Sequence, residues 1–191
     1  MNGQKVVYQG KIIEVVEEEV EIGGNMRTFE FARRAPGSRT IIASRTGKVL
    51  LSKEYRREAN GYDYRLPGGK VFDTLTEYND FLSQEPGEAR MIEVAEEGAR
   101  KELAEEVGIS EAELEFLYLS KCGATVEWDL YYFVAHVADE SLSEQQLEEG
   151  EDITVEWVSP SMAKSIALDG SKFSEDRSAA VLLRYLESAG D

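Results

Sequence analysis

The sequence predicts an α+β domain: an α/β/α sandwich with a mixed β-sheet and an N-terminal β extension. Three observations predict it. The first third alternates apolar and polar residues between turn signals, as half-buried strands do. A central stretch, residues 87–109, repeats its apolar residues at helical spacing. Two further helix patterns close the chain after another group of strands. The 191 residues suffice for one domain with a sizeable core. No repeat, low-complexity segment or long linker divides them, so 1–191 reads as a single domain. Residues 1–36 form the β extension, and 71–86 form an insertion ahead of the central helix.

Taken in order, residues 11–23 (KIIEVVEEEVEIG) and 26–34 (MRTFEFARR) read as strands joined by the turn signal Gly23-Gly24-Asn25. The run Glu17-Glu18-Glu19 reads as an exposed strand edge, where charge discourages aggregation. Residues 40–44 and 48–56 flank Arg45-Thr46-Gly47 as a hairpin. A short strand at Tyr64-Arg65-Leu66 runs into Pro67-Gly68-Gly69-Lys70, where proline fixes a turn and paired glycines permit close backbone approach. Within the insertion, 74–82 predicts a short helix with Leu75, Tyr78 and Phe81 or Leu82 on one side. That segment is either a lid over a substrate mouth or surface decoration. Residues 114–120 and 130–138 predict strands, and the sole histidine, His136, lies in the second without an evident chemical role. Cys122 lacks an evident base partner and reads as structural. Residues 160–170 and 174–188 predict helices, the last starting at Ser174-Glu175-Asp176 and burying Ala179, Val181, Leu182, Leu183 and Leu186.

The central helix carries the chemistry. Ile92, Ala95, Ala99, Leu103 and Val107 make its buried stripe, and Gly108 supplies the left-handed residue that ends it. Glu102, Glu105 and Glu106 stand at i, i+3 and i+4, which gathers three carboxylates on one side. Like charges one turn apart weaken a helix by a few tenths of a kcal/mol per pair, roughly. A divalent cation reverses that penalty, since hard cations take carboxylate oxygens. An acid-rich helix is also, commonly, only a solvated face.

The pattern extends beyond the three acids. Gly87, five residues, Glu93, seven residues, then Lys101-Glu102-Leu103-Ala104-Glu105-Glu106-Val107-Gly108-Ile109 resembles the Nudix box, G-x5-E-x7-R-E-U-x-E-E-x-G-U, with U a bulky aliphatic. Lys101 stands where the family has arginine. The resemblance implies the Nudix-type sandwich, with Glu102, Glu105 and Glu106 as ligands of Mg²⁺, or alternatively Mn²⁺. It also implies that the carbonyl of Gly68, in a Leu-Pro-Gly-Gly segment, joins them. In most members that turn overlaps the start of the box, whereas here residues 71–86 intervene. Gly87 and Glu93 therefore match the box in spacing without being expected at its structural start.

Further features resemble the ADP-ribose and nucleotide-sugar pyrophosphatase branch: the N-terminal β section, Glu54-Tyr55-Arg56 closing the hairpin, and residues 149–153 before a strand ending Trp157-Val158. In that branch the N-terminal strands commonly build a homodimer, and an acid from the loop matching 149–151 activates or orients water. The resemblance thus implies catalytic roles for Glu105 and for Glu149 or Glu151. Locally, residues 148–152 read equally as a solvated acidic loop. Arg56 and Arg65 are candidates for substrate phosphate, which guanidinium grips bidentately, and pairing with nearby carboxylates accounts for them as well. Glu127 lies near another acid that the branch uses. Two departures stand out: 121–127 lacks the branch's proline, and Arg65 replaces its usual glutamate.

Composition bounds the partners. A net charge of −17 argues against a nucleic-acid surface but not against a small phosphorylated substrate screened by metal. A single cysteine excludes an intramolecular disulfide framework and fits the cytoplasm. No apolar run reaches membrane-spanning length. The expectation is a Mg²⁺-dependent pyrophosphatase acting on a nucleoside diphosphate derivative such as ADP-ribose or a nucleotide sugar. The alternative is a catalytically weak Nudix-fold ligand-binding or sensor module. Tyr8, Phe31, Tyr62, Tyr64 and Trp128 are the aromatic candidates for stacking on a base.

Overall fold

The computed structural model describes residues 3–147 and 149–189. Two sheets organise them. The N-terminal sheet runs β1 (Gln4–Gln9), β2 (Glu14–Ile22), β3 (Asn25–Arg33) and, parallel to β3, the short β8 (Val126–Glu127). The glycine turn is as predicted, with Gly23 and Gly24 both at positive φ. The glutamate run does not lie on an edge, because β2 pairs with β1 on one side and β3 on the other. Its Glu18 accepts a hydrogen bond from Gln4 at 2.8 Å. Charge here faces out from an interior strand instead of blunting an edge.

The second sheet is mixed. Its main path is β10 (Ile153–Val158), β5 (Val49–Arg56), β4 (Gly37–Ser44), β9 (Leu130–Val137) and β7 (Glu113–Ser120), with β4 parallel to β9. One edge of β5 is shared: its start pairs with β4, and its end pairs with β6 (Gly61–Arg65). The two strands diverge there, and the turn after β6 falls into the fork.

Strand alternation divides the core into two layers. Ile41, Val49, Leu51, Tyr132 and Val134 face α3 (Pro160–Ala167) and α4 (Asp176–Ser188), where Ala163, Ile166, Phe173, Ala179 and Leu182 pack. Ile42, Leu50, Tyr131, Phe133 and Ala135 face α2 (Glu88–Glu102), meeting Met91, Ala95, Ala99, Leu103 and Val107. Helices on both faces of a mixed sheet make the expected α/β/α sandwich. The predicted stripe of α2 holds apart from Ile92, which is only half-buried beside fully packed Met91.

Residues 71–86 contain α1 (Leu75–Leu82), started by a capping box in which Thr74 and Glu77 satisfy each other's backbone N–H groups. Phe72 stacks on Tyr78 and Phe81 at 5.3 and 5.2 Å, which ties α1 to the α2 side of the core. Asn79 donates to the wholly buried Glu14 of β2 at 3.0 Å, and Glu14 also receives Arg33 at 3.2 Å. Helix α1 is thus bolted to the N-terminal sheet by a satisfied buried carboxylate.

Candidate active site

The carboxylates are placed by an unusual helix end. After Glu102 the α-helix widens into one π-helical turn, Leu103–Val107, closed when Gly108 N–H donates back to Leu103 O. Regular α spacing predicts Glu106 beside Glu102 and Glu105 on one exposed side. The wider turn instead buries Leu103, Glu106 and Val107 together, and Glu106 turns inward. Gly108, at φ +74°, ends the turn where a side chain would overlap the Ser143 backbone.

Opposite lies the Pro67-Gly68-Gly69 turn in the fork of the sheet. Thr40 N donates to Pro67 O at 2.9 Å and Ser38 N to Gly69 O at 3.0 Å, so the turn is stitched to β4. Gly68 between them presents its peptide to the site. Its N–H donates to Glu106 Oε2 at 3.0 Å, and its carbonyl accepts from Arg39 Nη1 at 3.1 Å. Its φ of +144° is open to glycine alone, and an added Cβ would overlap the Ser38 carbonyl. A side chain at Gly69 would collide with the Glu102 carboxylate.

These groups line one cavity of about 660 Å³. Gly68, Gly69, Glu102, Glu105, Glu106 and Lys101 form one wall; Arg34, Arg56, Arg65, Arg39 and Trp128 stand around the rest, with Glu151 and Asp152 from the loop before β10. Lys101 Nζ stands 4.0 Å from Glu105, a loose brace where the family motif has a guanidinium. Burial, then the neighbouring Glu102, pushes the Glu106 carboxyl up to about 8. Glu102 is raised too, by burial first and then by Glu105 and Glu151. Among the described residues no three acidic, histidine or cysteine side chains stand arranged so as to hold a metal ion by themselves. The donor set nevertheless fits a hard dication: it is all oxygen, it is crowded, and its charged form is the one burial and repulsion disfavour.

Of the remaining sequence candidates, Arg56 reaches the cavity with one N–H group paired to Glu54 at 2.9 Å, while its buried Nε has no partner among the described residues. Arg65 is 6% exposed and is held by Asp63 at 2.7 Å, Ser174 at 3.1 Å and Glu175 at 3.4 Å. The pairing account therefore describes Arg65 better than phosphate contact does. Glu149 and Glu127 do not line the cavity. Glu127 pairs with Arg33 at 2.9 Å on the N-terminal sheet, and its neighbour Trp128 is the one that reaches the site. Glu148, part of the predicted acidic loop, lies outside the described residues. Gly87 and Glu93 are also remote: Gly87 starts α2 in open space and Glu93 pairs with Arg90 on the surface. Cys122 and His136 are exposed, away from the cavity.

Sequence reasoning missed Arg39, Arg34 and Glu54. Arg34 lies over the Trp128 ring at 4.7 Å, and burial followed by the charges of Arg39 and Arg56 lowers its pKa. Nothing in the local sequence marks Arg39, which falls one residue ahead of the strand expected at 40–44 and is buried within β4 only in the folded chain.

A family model described as NUDIX domain matches residues 33–177. No curated protein matches the chain. Among solved structures, one titled "Crystal structure of ADP compounds hydrolase" superposes with a TM-score of 0.67 at 20% identity, over 99% of this chain and 94% of that one.

Proposed function

Since this chain belongs to the NUDIX domain family, a Nudix-type pyrophosphatase, we propose that it cleaves the pyrophosphate bond of a nucleoside diphosphate derivative, ADP-ribose or a nucleotide sugar first among them. The observation that carries this is that Glu102, Glu105 and Glu106 line one cavity with the Gly68 peptide, which donates to Glu106, and with Arg34 and Arg56. The similar solved structure is named for hydrolysing ADP compounds, which supports the substrate class.

In this reading Glu102, Glu105, Glu106 and the Gly68 carbonyl hold Mg²⁺, or Mn²⁺. The cation, when bound, neutralises diphosphate charge and makes a coordinated water acidic. The chain's own groups do the rest. Arg56 and Arg34, which line the same cavity, offer guanidinium donors to the diphosphate. Trp128 lines the cavity with Arg34 at 4.7 Å and Arg177 at 4.8 Å over its ring, so it holds those two guanidinium groups and leaves only its edge to a base. Glu151, on the cavity wall, takes the proton of the attacking water; Glu149, off that wall, is the second choice. Products are a nucleoside monophosphate and a phosphorylated second moiety. The protein works in the cytoplasm, consistent with its lone exposed cysteine, and as a homodimer through the apolar residues that the N-terminal sheet exposes. Among the described residues no helix is long and apolar enough to cross a membrane.

The test is Mg²⁺-dependent hydrolysis across ADP-ribose, nucleotide sugars, dinucleoside polyphosphates and nucleoside triphosphates, beside Glu105→Gln, Glu106→Gln and Glu151→Gln. Each of the first two is expected to lower kcat at least 100-fold, the size of effect seen when a preorganised charged group at a reaction centre is lost. Full activity in both would remove the metal assignment. Glu151→Gln is expected to slow turnover without weakening metal binding.

A further inference from the structure

The Gly68 peptide is the least comfortable backbone in the site, and its holder comes from inside β4. Arg39 is 6% exposed. Its Nη1 donates to Ser38 O at 2.8 Å and to Gly68 O at 3.1 Å. The other side of the same guanidinium grips Glu175 bidentately, Nε to Oε2 at 3.0 Å and Nη2 to Oε1 at 3.2 Å. Glu175 is the residue just ahead of α4, and it makes no cap to that helix's own backbone N–H groups. Its carboxylate instead meets Arg39, Arg65 at 3.4 Å and the Ser178 hydroxyl. Ser174 beside it is fastened twice to Asp63, at 2.9 and 2.8 Å.

We propose that Arg39 is a positioning residue for the metal site, braced by Glu175, which makes the start of the C-terminal helix part of the active-site scaffold. Three facts support the assignment. The φ of Gly68 needs an external hold, because strand pairing secures only its neighbours Pro67 and Gly69. Arg39 supplies that hold on the carbonyl while Glu106 supplies it on the N–H, so one peptide is fixed at both ends. The planar fork of Arg39 has its direction set by two bonds to a buried carboxylate, which a swinging ammonium could not reproduce. A carbonyl oxygen has two lone pairs, so the bond from Arg39 leaves one for a cation.

The inference rests on Gly68 as a metal ligand, and the experiment separates the two. Mn²⁺ binding is followed by electron paramagnetic resonance, with metal-free melting temperature and kcat and KM for ADP-ribose measured alongside. Arg39→Met is expected to weaken Mn²⁺ binding about tenfold and to lower kcat more than it raises KM. Arg39→Lys should recover part of both by restoring one donor to Gly68. Glu175→Gln, which keeps Arg39 but loosens its brace, should show the same effects in smaller measure and covers the case in which Arg39→Met does not fold. Ser178→Ala touches Glu175 without touching Gly68, and should move the melting temperature alone. If folded Arg39→Met and Glu175→Gln bind Mn²⁺ as the parent does, with unchanged kcat, the clamp is structural only and the proposal fails. If the parent itself binds no Mn²⁺, the metal reading fails and takes the proposal with it.

Discussion

Gly68 and Glu175 show how much a single position contributes. Gly68 combines a φ of +144° with no room for a Cβ, so Gly68→Ala has to move either β4 or the turn. The expected result is a protein that melts several degrees lower and loses more than 100-fold in kcat, read by calorimetry and by turnover on ADP-ribose. Glu175 sets a pH dependence. Arg39 and Arg65 beside it outweigh its burial and hold its carboxyl at about 2, below its ordinary 4.5. A carboxylate depressed on folding stabilises the native state in full above its unfolded pKa. That contribution, about 3 kcal/mol, is lost as pH falls from about 4.5 through about 2. Urea midpoints measured at pH 6 and pH 2.5 should converge in Glu175→Gln relative to the parent. Residues such as these explain the limits of sequence reading. Glu102, Glu105 and Glu106 announce themselves by spacing. Arg39, in contrast, acts through partners 29 and 136 positions away, separations that no local pattern encodes.

At the level of elements, the strands and helices follow from alternation, caps and glycine turns, and all of these are local signals. Two features do not. The π-helical turn depends on what Glu106 and Val107 meet in the fold, so helical spacing renders it as plain α-helix. β8 is a two-residue strand whose only warrant is its partner β3. The π turn carries a prediction. Deleting Ala104 would turn the Gly108 N–H to Leu103 O bond into an α-helical one and leave Glu105 only two residues from Glu102, a spacing that no longer puts the two on one side. Circular dichroism should show the helix retained, while Mn²⁺ binding is lost. For α1, Thr74→Ala removes one half of the capping box and should cost about 1 kcal/mol in urea unfolding, without changing metal affinity.

On the scale of the whole molecule, two sheets share one chain but have different tasks. The mixed sheet is covered on both faces, whereas the N-terminal sheet leaves Ile22, Met26 and Phe29 about half exposed or more, with Val6 and Tyr8 across it. Apolar residues in that number on one small sheet are suited to a second copy of the chain. If the homodimer proposed above forms through this sheet, Ile22→Glu with Phe29→Glu, which share one face, should give a smaller sedimentation coefficient than the parent, and an unchanged coefficient would count against that surface. The buried Glu14–Arg33–Asn79 junction ties the sheet to α1, whose approach segment brings Asp73 to the cavity rim. A disturbance at this exposed sheet therefore has a short physical route to the cavity.

The lacing between the π turn and the segment after β9 has a further consequence. Ser143 N donates to Gly108 O at 3.1 Å, Gln146 N to Glu105 O at 2.8 Å, and the Gln145 amide reaches Glu106 O. Those bonds divide the connection between β9 and β10 into two stretches with opposite tolerance to a change of length. Ahead of Ser143, extra residues would loop outward, and closure entropy rises only slowly, by about 0.6 kcal/mol per doubling. Gln146 is fixed at one end by its bond to the π turn, and at the other Asp152, next to Glu151, accepts from Tyr55 N just ahead of β10. An added residue between them would carry the Glu151 carboxylate off the cavity wall. Length variation in this connection should therefore fall on its first half, and the second half should keep its residue count even where its sequence drifts.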